Sequence, residues 1–360
     1  MKSVYLAGRG TAVPRHFMNQ QDAAKMVKTF TLSSPGSERW VPKIYQKSTV
    51  QQRGFVLLEQ HAQGLKPVEV FSPIRSSLDE GPSTEDRMAL YKKEAPILAI
   101  EAARNALCDA EMTPQNIRYL VTVSCTGFSA PGFDIELIKT IGLSSDVNRT
   151  HIGFMGCHGF FNALRVAQAL AAEGNVLVVS VELCSIHVAY GSDPGRMVAN
   201  ALFADGASAA IVSRQKRKPS NWRLQATASY LFPNSQDLMG WEIGNHGFRM
   251  HLSPEIPKVI ESSLKPFIID WLKKNHLSLS KIRSWAVHPG GPRILDAVEL
   301  ALGLKTADLV SSRHILTQYG NMSSATILYI VDELIKRKYQ MPCLAMGFGP
   351  GLNLELALFE

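Results

Sequence analysis

Three apolar runs, each the length of one strand and nearly unbroken, constrain this chain more than any other feature. They are residues 119–124 (Tyr-Leu-Val-Thr-Val-Ser), 176–181 (Val-Leu-Val-Val-Ser-Val) and 207–212 (Ala-Ser-Ala-Ala-Ile-Val). A strand that is apolar on both alternating faces needs cover on both, which places it inside a sheet packed between helices. Helical patterns stand around these runs. Ser83 or Thr84, followed by Glu85 and Asp86, opens a helix of about six turns in which Met88, Tyr91, Ala95, Leu98, Ala102 and Ala106 recur at helical spacing. A second helix is predicted over 158–173, so strand and helix alternate and the fold class is α/β.

The remaining segments are read in the same way. Residues 3–9 form a strand, and 11–50 mix polar and helical patterns that end in a basic stretch with Lys43, Lys47 and Arg53. Residues 59–84, rich in Gln, Gly, Pro and Ser, form a long surface excursion. Helices near 255–275, 291–302 and 322–337 and a strand at 284–287 repeat the theme before two closing apolar segments at 344–347 and 352–358. The basic, Pro-broken stretch 214–220 divides the 360 residues into halves 1–219 and 220–360, or is a solvated connection between strands.

Charge and cysteine usage narrow the function classes. A net charge of +7 without a basic stripe or stacking motif excludes an obvious nucleic-acid binder and suits a small anionic substrate. The five cysteines are scattered, with no CxxC pair, which argues for reduced thiols in a cytosolic protein and against a disulfide scaffold or a metal site. No apolar run is long enough for a signal peptide or a membrane span.

Cys157 precedes an Ala-rich helix and is flanked by Gly156 and Gly159. A thiol at a helix start feels the positive end of the dipole and free N–H groups, which favour the thiolate. His288 ends a strand and opens His-Pro-Gly-Gly-Pro, at the carboxyl edge where α/β sheets place ligands. Asn321, in Tyr-Gly-Asn-Met-Ser-Ser, precedes another apolar helix, either as an N-cap or as a donor. A carboxamide N–H beside an imidazole N–H makes a two-donor hole for a thioester oxygen, so Cys, His and Asn together fit acyl transfer. Gly347, Phe348, Gly349, Pro350 and Gly351 read as a loop suited to lining a cavity with bare backbone.

These motifs, in this order and over nearly the whole chain, resemble the type III polyketide synthases of the chalcone synthase superfamily, in a bacterial-type form. The resemblance implies a thiolase-like αβαβα five-layer sandwich of two related halves. It implies that Cys157 accepts an acyl group from its CoA thioester, and that His288 and Asn321 hold thioester oxygens during decarboxylation of malonyl-CoA. Phe203 matches the gatekeeper aromatic. Met250 stands where the family's second gatekeeper Phe precedes a His-Leu pair, a departure that leaves the entrance wider or softer. Lys43 and Lys47 fall near residues that grip CoA phosphates, and Cys125, Cys184, His187, Ala199, Met239 and Ser323 match cavity positions. No cofactor is implied beyond CoA thioester substrates, and the resemblance carries a cytoplasmic homodimer. A fatty acyl starter giving an alkylpyrone or alkylresorcinol comes first, and a malonyl-only route to tetrahydroxynaphthalene second. The rivals are a ketoacyl-ACP synthase on the same fold, a cysteine hydrolase, and a non-catalytic acyl-CoA-binding scaffold.

Overall fold

The computed structural model describes residues 3–31, 37–62 and 64–360. The first half runs β1 (Val4–Ala12), β2 (Phe17–Asn19), α1 (Gln20–Met26), α2 (Ser37–Lys47), β3 (Gln52–Gly54), β4 (Leu58–His61), β5 (Gly64–Pro67), α3 (Thr84–Ala110), β6 (Ile117–Ser124), α4 (Phe133–Ile141), β7 (Asn148–Gly153), α5 (Gly159–Leu170), β8 (Asn175–Leu183), α6 (Pro194–Leu202) and β9 (Asp205–Ser213). The second runs β10 (Arg223–Leu231), β11 (Met239–Gly244), β12 (Gly247–Leu252), α7 (Ile256–Lys274), β13 (Ser284–Val287), α8 (Pro292–Leu302), α9 (Val310–Tyr319), α10 (Thr326–Lys336), β14 (Cys343–Gly349) and β15 (Asn353–Phe359).

Local chemistry explains the longest helix. Ser83 Oγ accepts from the Asp86 N–H at 3.2 Å while Asp86 returns the bond to the Ser83 N–H at 3.1 Å, a capping box that starts α3. The helix runs for 27 residues, longer than its spacing predicted, and buries its alanines against β1 and β9.

Nine strands pair in the order β13-β14-β15-β10-β1-β9-β8-β6-β7. The two halves repeat one pattern. In the first, β1 is antiparallel to β9, β9 antiparallel to β8, and β8 parallel to β6; in the second, β10, β15, β14 and β13 stand in the same relations. The halves join where β1 meets β10 through two register pairs, Val4↔Leu224 and Tyr5↔Arg223.

Alternation of side chains along these strands builds three apolar layers. Leu177, Val179 and Val181 of β8 pack outward with α3, whereas Val176 and Val178 pack inward. On β14, Leu344 and Met346 pack outward with α7 and α8, and Cys343 and Ala345 inward. The inner cluster contains α5 and α10. Helices, half-sheet, central helices, half-sheet and helices give the five-layer thiolase-like order, and the two central helices begin beside one another.

Candidate active site

Cys157 lies in the 3-10 turn Gly156–His158 that leads into α5. Left-handed φ values of 58° at Phe154 and 79° at Gly156 shape this turn. A Cβ on Gly156 would stand 2.3 Å from Pro350 Cδ, so the position admits only glycine. Cys125 secures the turn from below, its Sγ accepting from the Gly156 N–H at 3.0 Å. His158 secures the far side, its Nδ1 lying 3.1 Å from Asn162 Oδ1. A Cβ on Gly349 would come within 2.3 Å of the His158 ring.

Asn321 precedes a second 3-10 turn, Ser323–Ala325, which packs against the first and leads into α10. Its Oδ1 accepts from the Ser323 N–H at 2.8 Å, so the oxygen end of the carboxamide closes a local turn. Nδ2 is buried and makes no hydrogen bond among the described residues. The N-cap of α10 is Ala325, so Asn321 does not serve there. His288 follows β13 and is anchored by its backbone N–H to Met346 O at 2.8 Å. Its ring is buried, and neither nitrogen has a partner among the described residues. Buried donors are nearly always paired, so these nitrogens on Asn321 and His288 are candidates for bonding a substrate oxygen.

Two chambers meet at Cys157. The outer is lined by Lys47, Val198, Gly290, Gly291, Arg293 and Asn321, the inner by Cys125, Cys184, His187, Ala199, Trp241 and Ser323, and Phe203, Met239 and Met250 border both. His288 itself lines neither; Gly290 and Gly291, just after it, do.

Three expectations change. Gly347, Phe348 and Gly349 are not loop residues: they complete β14, and of the five-residue segment only Phe348 and Pro350 reach a chamber wall, because the glycines instead make room for Phe161 and His158. Lys43 is exposed on α2 and borders neither chamber, leaving Lys47 alone of the pair at the outer mouth. Arg53, expected with them in one basic stretch, is wholly buried.

Models of the chalcone and stilbene synthases match nearly all of this chain, the N-terminal domain over residues 2–216 and the C-terminal domain over 223–360. The chain belongs to the chalcone and stilbene synthase family. Among its relatives is the alpha-pyrone synthesis polyketide synthase-like Pks18 of Mycobacterium tuberculosis, 30% identical, with 99% of this chain and 90% of that protein covered. PKS-I of the brown alga Ectocarpus siliculosus superposes with a TM-score of 0.90 at 28% identity, covering 99% of this chain and 98% of that one. The C-terminal type III domain of Steely1 from Dictyostelium gives 0.88 at 27% identity, covering 99% of each. The protein is a type III polyketide synthase, a condensing enzyme of the acyltransferase type.

Burial dominates ionisation in this polyketide synthase. It pushes the Cys157 thiol up, to about 11, aided by the Glu182 carboxyl and opposed by Ser323 and Asn321. It pushes the His288 imidazole down, to about 3, with His158 adding to the effect. Desolvation of the thiol thus acts against the stabilisation that a helix start offers its thiolate.

Two functional neighbours escaped the sequence. Glu182 is fully buried and accepts from the Cys125 N–H at 3.0 Å, from Thr126 Oγ1 at 2.8 Å and from Ser324 Oγ, and burial raises its carboxyl to about 7. It ties the Cys125 segment to the turn after Asn321. The only signal was an acid closing the otherwise apolar run of β8. Trp241 donates from Nε1 to Cys125 O at 2.7 Å. With His187, whose Nε2 donates to Thr126 O at 2.6 Å and whose Nδ1 accepts from Phe248 N at 3.0 Å, it fastens the β11–β12 hairpin over the inner chamber. His187 is thereby fully satisfied and neutral, its ring stacked 4.2 Å from that of Phe248.

Proposed function

We propose that the protein loads an acyl group from its CoA thioester onto Cys157 and extends it by decarboxylative condensation with malonyl-CoA. Proton transfer from the Cys157 thiol to His288 gives a thiolate that attacks the starter carbonyl, and CoA leaves as its thiol on taking up that proton. Malonyl-CoA then loses CO2. The resulting enolate oxygen sits between the His288 and Asn321 N–H groups, and its carbon attacks the Cys157 thioester, releasing the thiolate. The observation that supports this reading is the pair of side chains with unpartnered buried nitrogens, Asn321 lining the outer chamber with Cys157 and His288 just before Gly290 and Gly291 of the same lining. Phe203 and Met250, bordering both chambers, suit a gate between CoA mouth and reaction chamber.

A fatty acyl starter is favoured by the apolar share of the inner chamber's lining, which with Ala199 includes Met26, Val27, Phe30, Phe55 and Leu57. The product is then an alkylpyrone or alkylresorcinol. Mass spectrometry of products from malonyl-CoA with a panel of starters, from malonyl through long-chain acyl to coumaroyl, tests the choice. Tetrahydroxynaphthalene from malonyl-CoA alone, with no use of alkyl starters, would replace it. The working form is a homodimer: β7 is an edge strand exposed over most of its length, and Phe128 and Met155, following β6 and β7, are 51% and 38% exposed. Light scattering that gave the mass of one chain would exclude the dimer.

A further inference from the structure

Arg53 connects three features that the reaction uses separately. Its side chain is 1% exposed and lies over the rings of Phe55 and Tyr45, 4.8 and 5.7 Å from their centroids. Nη1 donates to the carbonyl of Phe203 at 2.5 Å, and Nε donates to Gln20 Oε1 at 3.2 Å. Gln20, itself buried, donates from Nε2 to Ser48 Oγ at 2.7 Å and to Ala201 O at 2.8 Å. Ser48 is the first residue after α2, directly beyond Lys47 at the outer mouth.

On the other side of Arg53, Phe203 is bridged to Asn321. The Asn321 N–H donates to Leu202 O at 2.8 Å, and the Ala204 N–H donates to Asn321 O at 2.9 Å. The end of α2, the Phe203 peptide and the Asn321 backbone are thus linked through one guanidinium. No carboxylate among the described residues forms an ion pair with it; Asp205 acts on it only at longer range. A buried cation held by an amide and a carbonyl costs more than an apolar side chain of equal volume. What it supplies is a fixed place for the Phe203 carbonyl.

We propose that Arg53 is a positioning residue: by holding the Phe203 carbonyl it keeps the bridged Asn321 carboxamide aimed at the enolate oxygen, in register with the helix end that bears Lys47. The inference rests on the reading of Asn321 as the decarboxylation donor. Displacement of a catalytic group by an ångström can cost about a hundredfold in rate.

The test uses the full-length protein with Arg53→Gln, whose side chain cannot span to Phe203 O, Arg53→Lys, which keeps one donor, and Asn321→Ala. Malonyl-CoA decarboxylation, iodoacetamide labelling of Cys157 and Tm are measured for each. Arg53→Gln should lower kcat for decarboxylation by about ten- to a hundredfold with KM and labelling rate changed less than about threefold, and Arg53→Lys should restore part of kcat. Equal loss of decarboxylation and labelling in step with Tm, or full decarboxylation in Arg53→Gln where Asn321→Ala has lost it, overturns the inference while sparing the site. Full decarboxylation in Asn321→Ala overturns the reading of the site and this inference with it. Should Arg53→Gln not fold, Gln20→Leu, which frees Nε but leaves the Phe203 contact, is held to the same split at reduced size.

Discussion

At Asn321 the two ends of one carboxamide do different work. Oδ1 closes the turn to Ser323, and Nδ2 is left over. Asn321→Asp should therefore keep the turn and lose the donor, lowering decarboxylation by about 100- to 1000-fold with Tm near that of the unmodified protein, as read by CO2 release and thermal unfolding; a variant that decarboxylated normally would return Asn321 to a purely local role. The Cys157 thiol raises a related point. Burial favours the neutral form of both the thiol and the imidazole, so in the proposed reaction the thiolate forms as His288 takes the proton. Iodoacetamide labelling of Cys157 at pH 7 should fall at least about tenfold in His288→Gln while that of exposed Cys108 is unchanged, and equal rates would break the pairing. At this scale the motifs were legible because glycine and proline surround Cys157 and His288. Arg53 and Glu182 were not, since a charged residue in sequence reads as surface until its burial is seen.

At the scale of elements, the β11–β12 hairpin is fastened by two side chains, its own Trp241 and His187 from outside it. His187→Phe preserves the stack but strands Thr126 O and Phe248 N, at a cost of about 1–3 kcal/mol; hydrogen exchange over residues 239–252 should rise, and unchanged protection would mean that His187 does not hold the hairpin. The apolar lining gives a second expectation. Ala199→Leu, by displacing about three methylenes of an acyl tail, should lower kcat/KM for the longest accepted starter about fiftyfold and shift the profile to shorter chains. The same profile at full activity would place the tail elsewhere. Strands buried on both faces and the capped α3 were legible from composition and capping, because burial and an unpaired helix start leave local marks. The exposed edge strand β7 and the hairpin, with polar and mixed patterns, carry no comparable mark: their pairing is decided by partners distant in the chain.

The whole molecule contains buried groups whose protonation opposes one another. His187 and His288 fold with pKa values near 3, so the stability they leave intact above about pH 6.5 is lost progressively as pH falls toward 3, when the unfolded chain takes protons that the folded one refuses. Glu182 works the other way. Its carboxyl titrates near 7 when folded, so its contribution is full below about pH 4.5 and is lost as pH rises through 7. Measured by urea unfolding across pH, the native protein should lose about 3 kcal/mol relative to Glu182→Gln between pH 4.5 and 7 and remain level above; a constant difference would mean that Glu182 stays ionised throughout. The alternation of strand and helix made the layered architecture legible, but the repeat of strand relations across the β1–β10 seam was only faintly so, because the halves share topology rather than residues. That repeat has a consequence for the chemistry. Cys157 just before α5 and Asn321 just before α10 occupy the same address in two copies of one unit. Doubling the unit supplied two helix starts face to face, and placing unlike side chains at them turned a symmetric frame into a lopsided one: in the proposed reaction one copy carries the growing chain, and the other receives the charge created when the next piece is made.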